Sequence, residues 1–416
     1  GPAKVAVVAS SLFGTISGSA VANVVGTGSF TIPLMKKSGF DSEFSGAVET
    51  AASSGGQLMP PVMGAAAFIM ADYIGSYQEV LTAAVIPAIL FYIALFIMID
   101  LEALKKDLKG QSKDELPNFM EELKKGWLLL MPLVLLVFLL VGVRYSAQKS
   151  AFFSIIFLVV IMLVYPGKKR SVSEILHLIA SSSKGMVSVA LTTGTAGIIV
   201  GMLMLTGIGY KLSSLLISLS QGNVMLLLIL TMVTSVILGM GMPTSAAYVL
   251  LATLIVPALE NLGIAKIAAH FFVFYFGIMA NVTPPVAVAA YTAAGIAKGD
   301  AMKTGFVAWR LSLAGFLMPF MFCMNPALLG KGTNGEIILA IMSALIGAYG
   351  LATAVQRYFK GNLSWPKTIV VLLGSVSTMM PGIKSDIFGL ICLGSIYAIQ
   401  IIKSKKSYDE GEVNVA

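Results

Sequence analysis

The sequence predicts an all-α polytopic membrane protein built as an inverted repeat, with two re-entrant helical hairpins and two broken helices. Three observations carry this. The first is composition: 57% of residues are hydrophobic, 12% are charged and mean hydropathy is +0.89, against roughly a quarter charged in soluble domains. The second is a series of apolar windows at 78–99, 127–143, 150–165, 186–206, 222–238, 308–329, 335–355 and 386–402. Each runs about 17 residues or more with few charges, enough to cross roughly 30 Å of hydrocarbon. The ten-residue alternating segments of an outer-membrane barrel are absent. The third is a repeat: Pro60-Pro61 returns at Pro284-Pro285, 224 positions on (284 − 60). Pro33 and Pro257, Gly39 and Gly263, Gly75 and Gly299, and the amides Gln57 and Asn281 keep the same offset without a gap. So do Ala22 and Ala246, Val62 and Val286, and Ala65-Ala66 and Ala289-Ala290.

Copy 1 spans 1–99. An apolar arm, Val5–Ile16, reaches the small-residue tip Ser17-Gly18-Ser19. A second arm runs to Met35 and stops at Gly39, a residue suited to a left-handed helix end. At 1.5 Å per residue each arm is short for a full crossing, which predicts a re-entrant hairpin. A helix from Ser42 follows, with an expected break at Ser53-Ser54-Gly55-Gly56 and a restart after Pro60-Pro61.

The stretch 100–126 is the one long charged segment, with leucines at helical spacing among acids and lysines. It reads as amphipathic connecting helices on the membrane surface or as a solvated linker. A second interfacial helix is expected over 172–183.

Copy 2 spans 127–329. It opens with scaffold helices and reaches a second tip, Gly239-Met240-Gly241-Met242-Pro243-Thr244-Ser245. Its arm ends near Pro257–Gly263. A helix from Ala265 is expected to break at Gly277–Thr283 and restart after Pro284-Pro285. Residues 330–416 add accessory helices and a tail. Copy 1 has no counterpart of the copy 2 scaffold helices, so amino-terminal helices are expected to be missing from the chain that starts at Gly1.

The net charge of +8 lies in loops. Lys105, Lys106, Lys109, Lys113, Lys124 and Lys125 share one; Lys168, Lys169 and Arg170 share another; Lys403, Lys405 and Lys406 lie in the tail. This follows the positive-inside rule and speaks against nucleic acid as partner, with lipid as the surroundings. Two cysteines and two histidines are too few for a disulfide framework or a His-based metal centre. No catalytic set and no nucleotide-binding Gly-Lys-Ser/Thr loop is present, so the chain reads as neither an enzyme nor an ATPase, with no organic cofactor.

Broken helices free backbone carbonyls at the end of one half and amides at the start of the next. Carbonyls suit Na⁺, and the positive dipole end suits a carboxylate, which is how secondary transporters hold ion and solute. Candidate ligands are Ser17, Gly18, Ser19 and Asn23 at the first tip. Ser53, Ser54, Gly55, Gly56, Gln57 and Pro60 stand at the first break. Gly241, Pro243, Thr244 and Ser245 stand at the second tip, and Gly277, Asn281, Thr283 and Pro284 at the second break. The same small residues would also serve close helix packing. Glu49 and Asp72, carboxylates in apolar surroundings, are candidates for ion or proton coupling. His270 reads as a packed, hydrogen-bonded residue, Arg310 as an interfacial anchor, and Met240 and Met242 as packing.

Several of these stretches resemble a known family. Ser17-Gly-Ser-Ala-Val-Ala-Asn23, Ile32-Pro-Leu-Met-Lys-Lys-Ser-Gly39, Ser54-Gly-Gly-Gln-Leu-Met-Pro-Pro61 and Gly239-Met-Gly-Met-Pro-Thr244 are similar to motifs of the large membrane subunit of tripartite ATP-independent periplasmic (TRAP) transporters. With Ala269-His270-Phe-Phe-Val-Phe-Tyr275, Thr283-Pro-Pro285 and Pro319-Phe-Met-Phe322, they are most similar to fused permeases paired with TAXI-type receptors. The resemblance implies an elevator-type, sodium-coupled importer in a bacterial or archaeal inner membrane. It also implies a periplasmic substrate-binding protein that delivers a small carboxylate, with tips and breaks holding Na⁺ and solute. A receptor-independent carboxylate transporter, and an intramembrane enzyme or scaffold, are the alternatives. Which anion is carried leaves no side-chain signature.

Overall fold

The computed structural model describes residues 1–108, 119–164 and 171–413, and among these there is no named strand. Among the described residues five helices are long and apolar enough to cross a membrane, or six if one pair bent by 73° counts as a single span.

In copy 1, α1 (Pro2–Ser17) and α2 (Ala20–Lys37) form the first hairpin. Gly18, at φ +60°, ends α1, and the Ser19 side chain caps α2 by accepting from the Ala22 amide at 3.3 Å. Gly39, at φ +95°, lets the chain leave α2. Then come α3 (Ser42–Gly56), α4 (Ala65–Ile74) and the long span α5 (Tyr77–Lys105).

Helices α6 (Phe119–Val137), α7 (Ala147–Val164), α8 (Val172–Thr206) and α9 (Ile208–Ser220) precede the second hairpin. That hairpin is α10 (Val224–Gly239) and α11 (Thr244–Leu254), with α12 (Val256–Asn261) after it. The second broken helix is α13 (Lys266–Met279), a short 3₁₀ turn Ala280–Val282, and α14 (Val288–Ala297). α15 (Ala301–Leu311) and α16 (Leu313–Met324) together make one span.

The two copies interlock reciprocally. α14 of copy 2 packs on α2 and α3 of copy 1, while α4 of copy 1 packs on α11 and α13 of copy 2. Each restarted half-helix therefore leans on the other copy's hairpin. α17 (Asn334–Gln356), α18 (Trp365–Met379) and α19 (Ile383–Val413) form a layer against α5, pinned by Gln356 Nε2 donating to the Met98 carbonyl at 3.0 Å.

Both breaks fall later than the sequence reading placed them. Ser53, Ser54, Gly55 and Gly56 are the last turn of α3, and Gly277 is still inside α13. The irregular stretches are 57–64 and, after the 3₁₀ turn, 283–287. The prolines set these points. A proline ring clashes with the carbonyl four residues before it, so Pro60 stops α3 at Gly56 and Pro284 ends regular α-helix just ahead of Ala280. The glycines have a different task. A Cβ on Gly56 would sit 2.6 Å from the Gly14 Cα, and one on Gly55 would sit 2.3 Å from the Phe91 ring. They let α1 and α5 close on α3.

Two connecting segments also differ. Residues 172–183 are not a separate interfacial helix but the start of α8, which Ser171 and Glu174 open with a reciprocal cap. No proline interrupts its 35 residues before Gly207 ends it. Of the amphipathic segment 100–126, residues 100–105 continue α5, 119–126 begin α6, and 109–118 lie outside the described residues.

Candidate functional site

The two tips and the two breaks meet at one cavity of ≈ 370 Å³. Ser17, Gly18 and Ser19 of the first tip face it together with Gln57 from the first break. Gly241, Pro243, Thr244 and Ser245 of the second tip face it with Asn281 from the second. Met63, Ala65, Ala66, Met242 and Val288 complete the wall, with Ala20 and Val21. No charged side chain is among them.

Local packing explains the convergence. Gly18 and Gly64 touch backbone to backbone, since a Cβ on Gly18 would lie 2.4 Å from the Gly64 Cα. Both have positive φ, so the first tip seats directly on the restart of α4. In copy 2, Asn281 Nδ2 donates to Thr244 Oγ1 at 3.3 Å, tying the break to the tip.

Four helices begin at this cavity. Ala20 opens α2, Ala65 opens α4, Thr244 opens α11 and Val288 opens α14, and each of these residues is in the wall. The first amides of a helix have no intrahelical partner, and its amino end carries about half a positive charge. Converging four such ends makes an electropositive chamber without a basic residue, suited to an anion. Oxygen donors are present as well. The buried hydroxyl oxygen of Ser17, in the wall, has no hydrogen-bond partner among the described residues.

The remaining predicted residues lie elsewhere. Asn23, Ser53, Ser54, Gly55, Gly56 and Gly277 sit behind the cavity in the helix packing, and Pro60, Thr283 and Pro284 in the break loops. Asp72 is exposed near the end of α4, and Glu49 is fully buried in α3. His270 is packed and bonded to the Tyr248 hydroxyl at 2.8 Å. Arg310 stands at a separate cavity with Asp41, Glu43 and Glu102. The sequence reading missed the wall residues Met63, Ala65 and Val288. Their positions immediately after the Pro-Pro pairs were the available signal.

Residues 1–337 match the family described as the tripartite ATP-independent periplasmic transporter, DctM component. The C4-dicarboxylate TRAP transporter large permease protein DctM of Pseudomonas aeruginosa is 26% identical over 69% of this chain and 66% of its own length. The 2,3-diketo-L-gulonate TRAP transporter large permease protein YiaN of Escherichia coli is 23% identical over 76% of this chain and 75% of its own. The isethionate TRAP transporter permease protein DctMQ of Oleidesulfovibrio alaskensis is 25% identical over 68% of this chain, which spans 45% of that relative.

Proposed function

The chain belongs to the DctM-component family of tripartite ATP-independent periplasmic transporters, a transporter permease and not an enzyme, and from there we propose how it works. The protein takes up a small organic anion, a carboxylate, by secondary active transport coupled to Na⁺. The observation that carries this reading is the uncharged cavity on which four helix amino ends converge. The solutes named for its relatives, C4-dicarboxylate, 2,3-diketo-L-gulonate and isethionate, are all organic anions.

The solute's anionic group would be met by the first amides of α2, α4, α11 and α14. Na⁺, the coupling ion, would be held by neutral oxygens at the same place. Ser17 and Gln57 would serve in copy 1, and Thr244 with Asn281 in copy 2. Na⁺ would supply local positive charge that draws the anion in, so that solute and ion bind together. The interlocked hairpins and broken helices would move as one body past the scaffold helices, in elevator fashion. A periplasmic substrate-binding protein, of TAXI type, would deliver the solute to a fused permease in the inner membrane of a bacterium or archaeon.

The test is reconstitution of the full-length permease in liposomes with labelled carboxylates. Uptake is expected with both the receptor and an inward Na⁺ gradient, and negligible uptake without either. Equal uptake in a K⁺-only medium would refute sodium coupling. Equal uptake without receptor would favour the receptor-independent reading.

A further inference from the structure

Glu49 lies at the centre of α3 with no exposed surface, and among the described residues no ion pair reaches it. Oxygen atoms surround it instead. Its Oε1 lies 2.6 Å from the hydroxyl of Ser10 on α1, 2.6 Å from that of Thr27 on α2, and 3.0 Å from that of Ser53. Its Oε2 meets the hydroxyl of Thr31. Thr27 Oγ1 is also 2.8 Å from the Asn23 carbonyl, 3.0 Å from Asn23 Oδ1 and 3.0 Å from Ser10 Oγ. It carries one hydrogen for four oxygen neighbours. The cluster thus holds more close oxygen contacts than hydroxyl hydrogens to fill them. An isolated carboxylate away from water is costly unless positive charge joins it.

The repeat adds an independent argument. With the 224-residue offset, Asn23, Thr27, Thr31, Glu49 and Ser53 correspond to Ala247, Leu251, Ile255, Val273 and Gly277. The first four of these are part of the buried apolar core. Ser10 alone keeps a polar counterpart, Thr234, so the same hairpin-on-helix packing is built in copy 2 without the carboxylate and without the amide and threonines of α2. Packing does not require a buried carboxylate on this helix. Gly28, where a Cβ would press on the Glu49 Cγ at 3.0 Å, leaves α2 room for this carboxylate.

We propose that Glu49, with Ser10, Asn23, Thr27, Thr31 and Ser53, is a binding site for one monovalent cation, separate from the cavity at the tips. The site clamps the first hairpin to the first broken helix when filled. Either Na⁺ or a proton supplies the same single positive charge. It deepens the coupled-transport reading above but stands on its own geometry. The charged groups around it are engaged elsewhere: Lys4 pairs with Asp100 at 2.6 Å, and Lys36 donates to the Ala297 carbonyl at 2.6 Å. On α5, Tyr92 donates its hydroxyl to the Ala52 carbonyl at 2.8 Å.

The test is thermal unfolding of the purified full-length protein in NaCl and in choline chloride of equal ionic strength, across a pH series. A cation that binds only the folded state raises the midpoint with its concentration. Wild type should show such a dependence on Na⁺ or on pH. Glu49→Gln and Thr31→Val should weaken it, while Thr82→Val, at an exposed hydroxyl of α5 outside both sites, leaves it unchanged. A weakened sodium dependence assigns Na⁺; a weakened pH dependence alone assigns the proton. If Glu49→Gln fails to fold, Thr31→Val and Thr27→Val carry the comparison. Full retention of both dependences in the folded variants, or neither dependence in wild type, would overturn the site. Sodium-independent uptake with a Glu49-dependent midpoint would refute the coupling proposal and leave this one standing.

Discussion

Replacing Gly56 with alanine is expected to destabilise the folded protein strongly and to lower its yield. The new methyl would fall 2.6 Å from the Gly14 Cα, and that neighbour is backbone, which cannot rotate away. The first hairpin would have to lift off α3, at a cost of about 3 kcal/mol, the upper part of the usual overpacking range. That is a large share of a typical stability margin. Gly295→Ala on α14 is the matched control, because a Cβ there meets nothing within 4 Å. Monodisperse yield after detergent extraction should fall several-fold for the first variant and stay near wild type for the second. Equal yields would mean that α1 and α3 do not meet as described.

Asn281→Leu should leave folding intact and cripple uptake. Asn281 is half-buried, and its amide joins the second break to the second tip through Thr244. Leucine removes that bond and puts an apolar branch into a polar chamber. Losing one or two such hydrogen bonds lowers uptake about 10- to 100-fold. Gln57→Leu, its repeat-mate on the same cavity wall, should fall similarly. Initial rates of receptor-dependent uptake in liposomes measure both. A full rate in one of the two variants would break the equivalence of the copies.

Much of this architecture was legible because punctuation residues act locally. Gly39 needs a left-handed conformation, Pro60 and Pro284 stop a helix four residues earlier, and their common offset exposes the repeat. The tips were legible for the same reason. What could not be read was the division of labour among small residues. Ser53 to Gly56 look like a break in one dimension, but only the approach of Gly14 and Phe91 reveals them as a packing face. The cage around Glu49 was hidden too. Ser10, Thr27 and Thr31 come from two arms whose register depends on the hairpin closing, and no spacing rule announces it.

The central claim is that the two hairpin tips, 227 positions apart between Ser17 and Thr244 (244 − 17), face one chamber. It is tested by replacing Cys323 and Cys392 with serine, introducing Ser17→Cys and Thr244→Cys, and treating the purified full-length protein with a short bifunctional thiol reagent. A cross-linked peptide containing both introduced cysteines within one chain is the predicted result. Single-ended modification at each cysteine, with no linked peptide, would contradict the account.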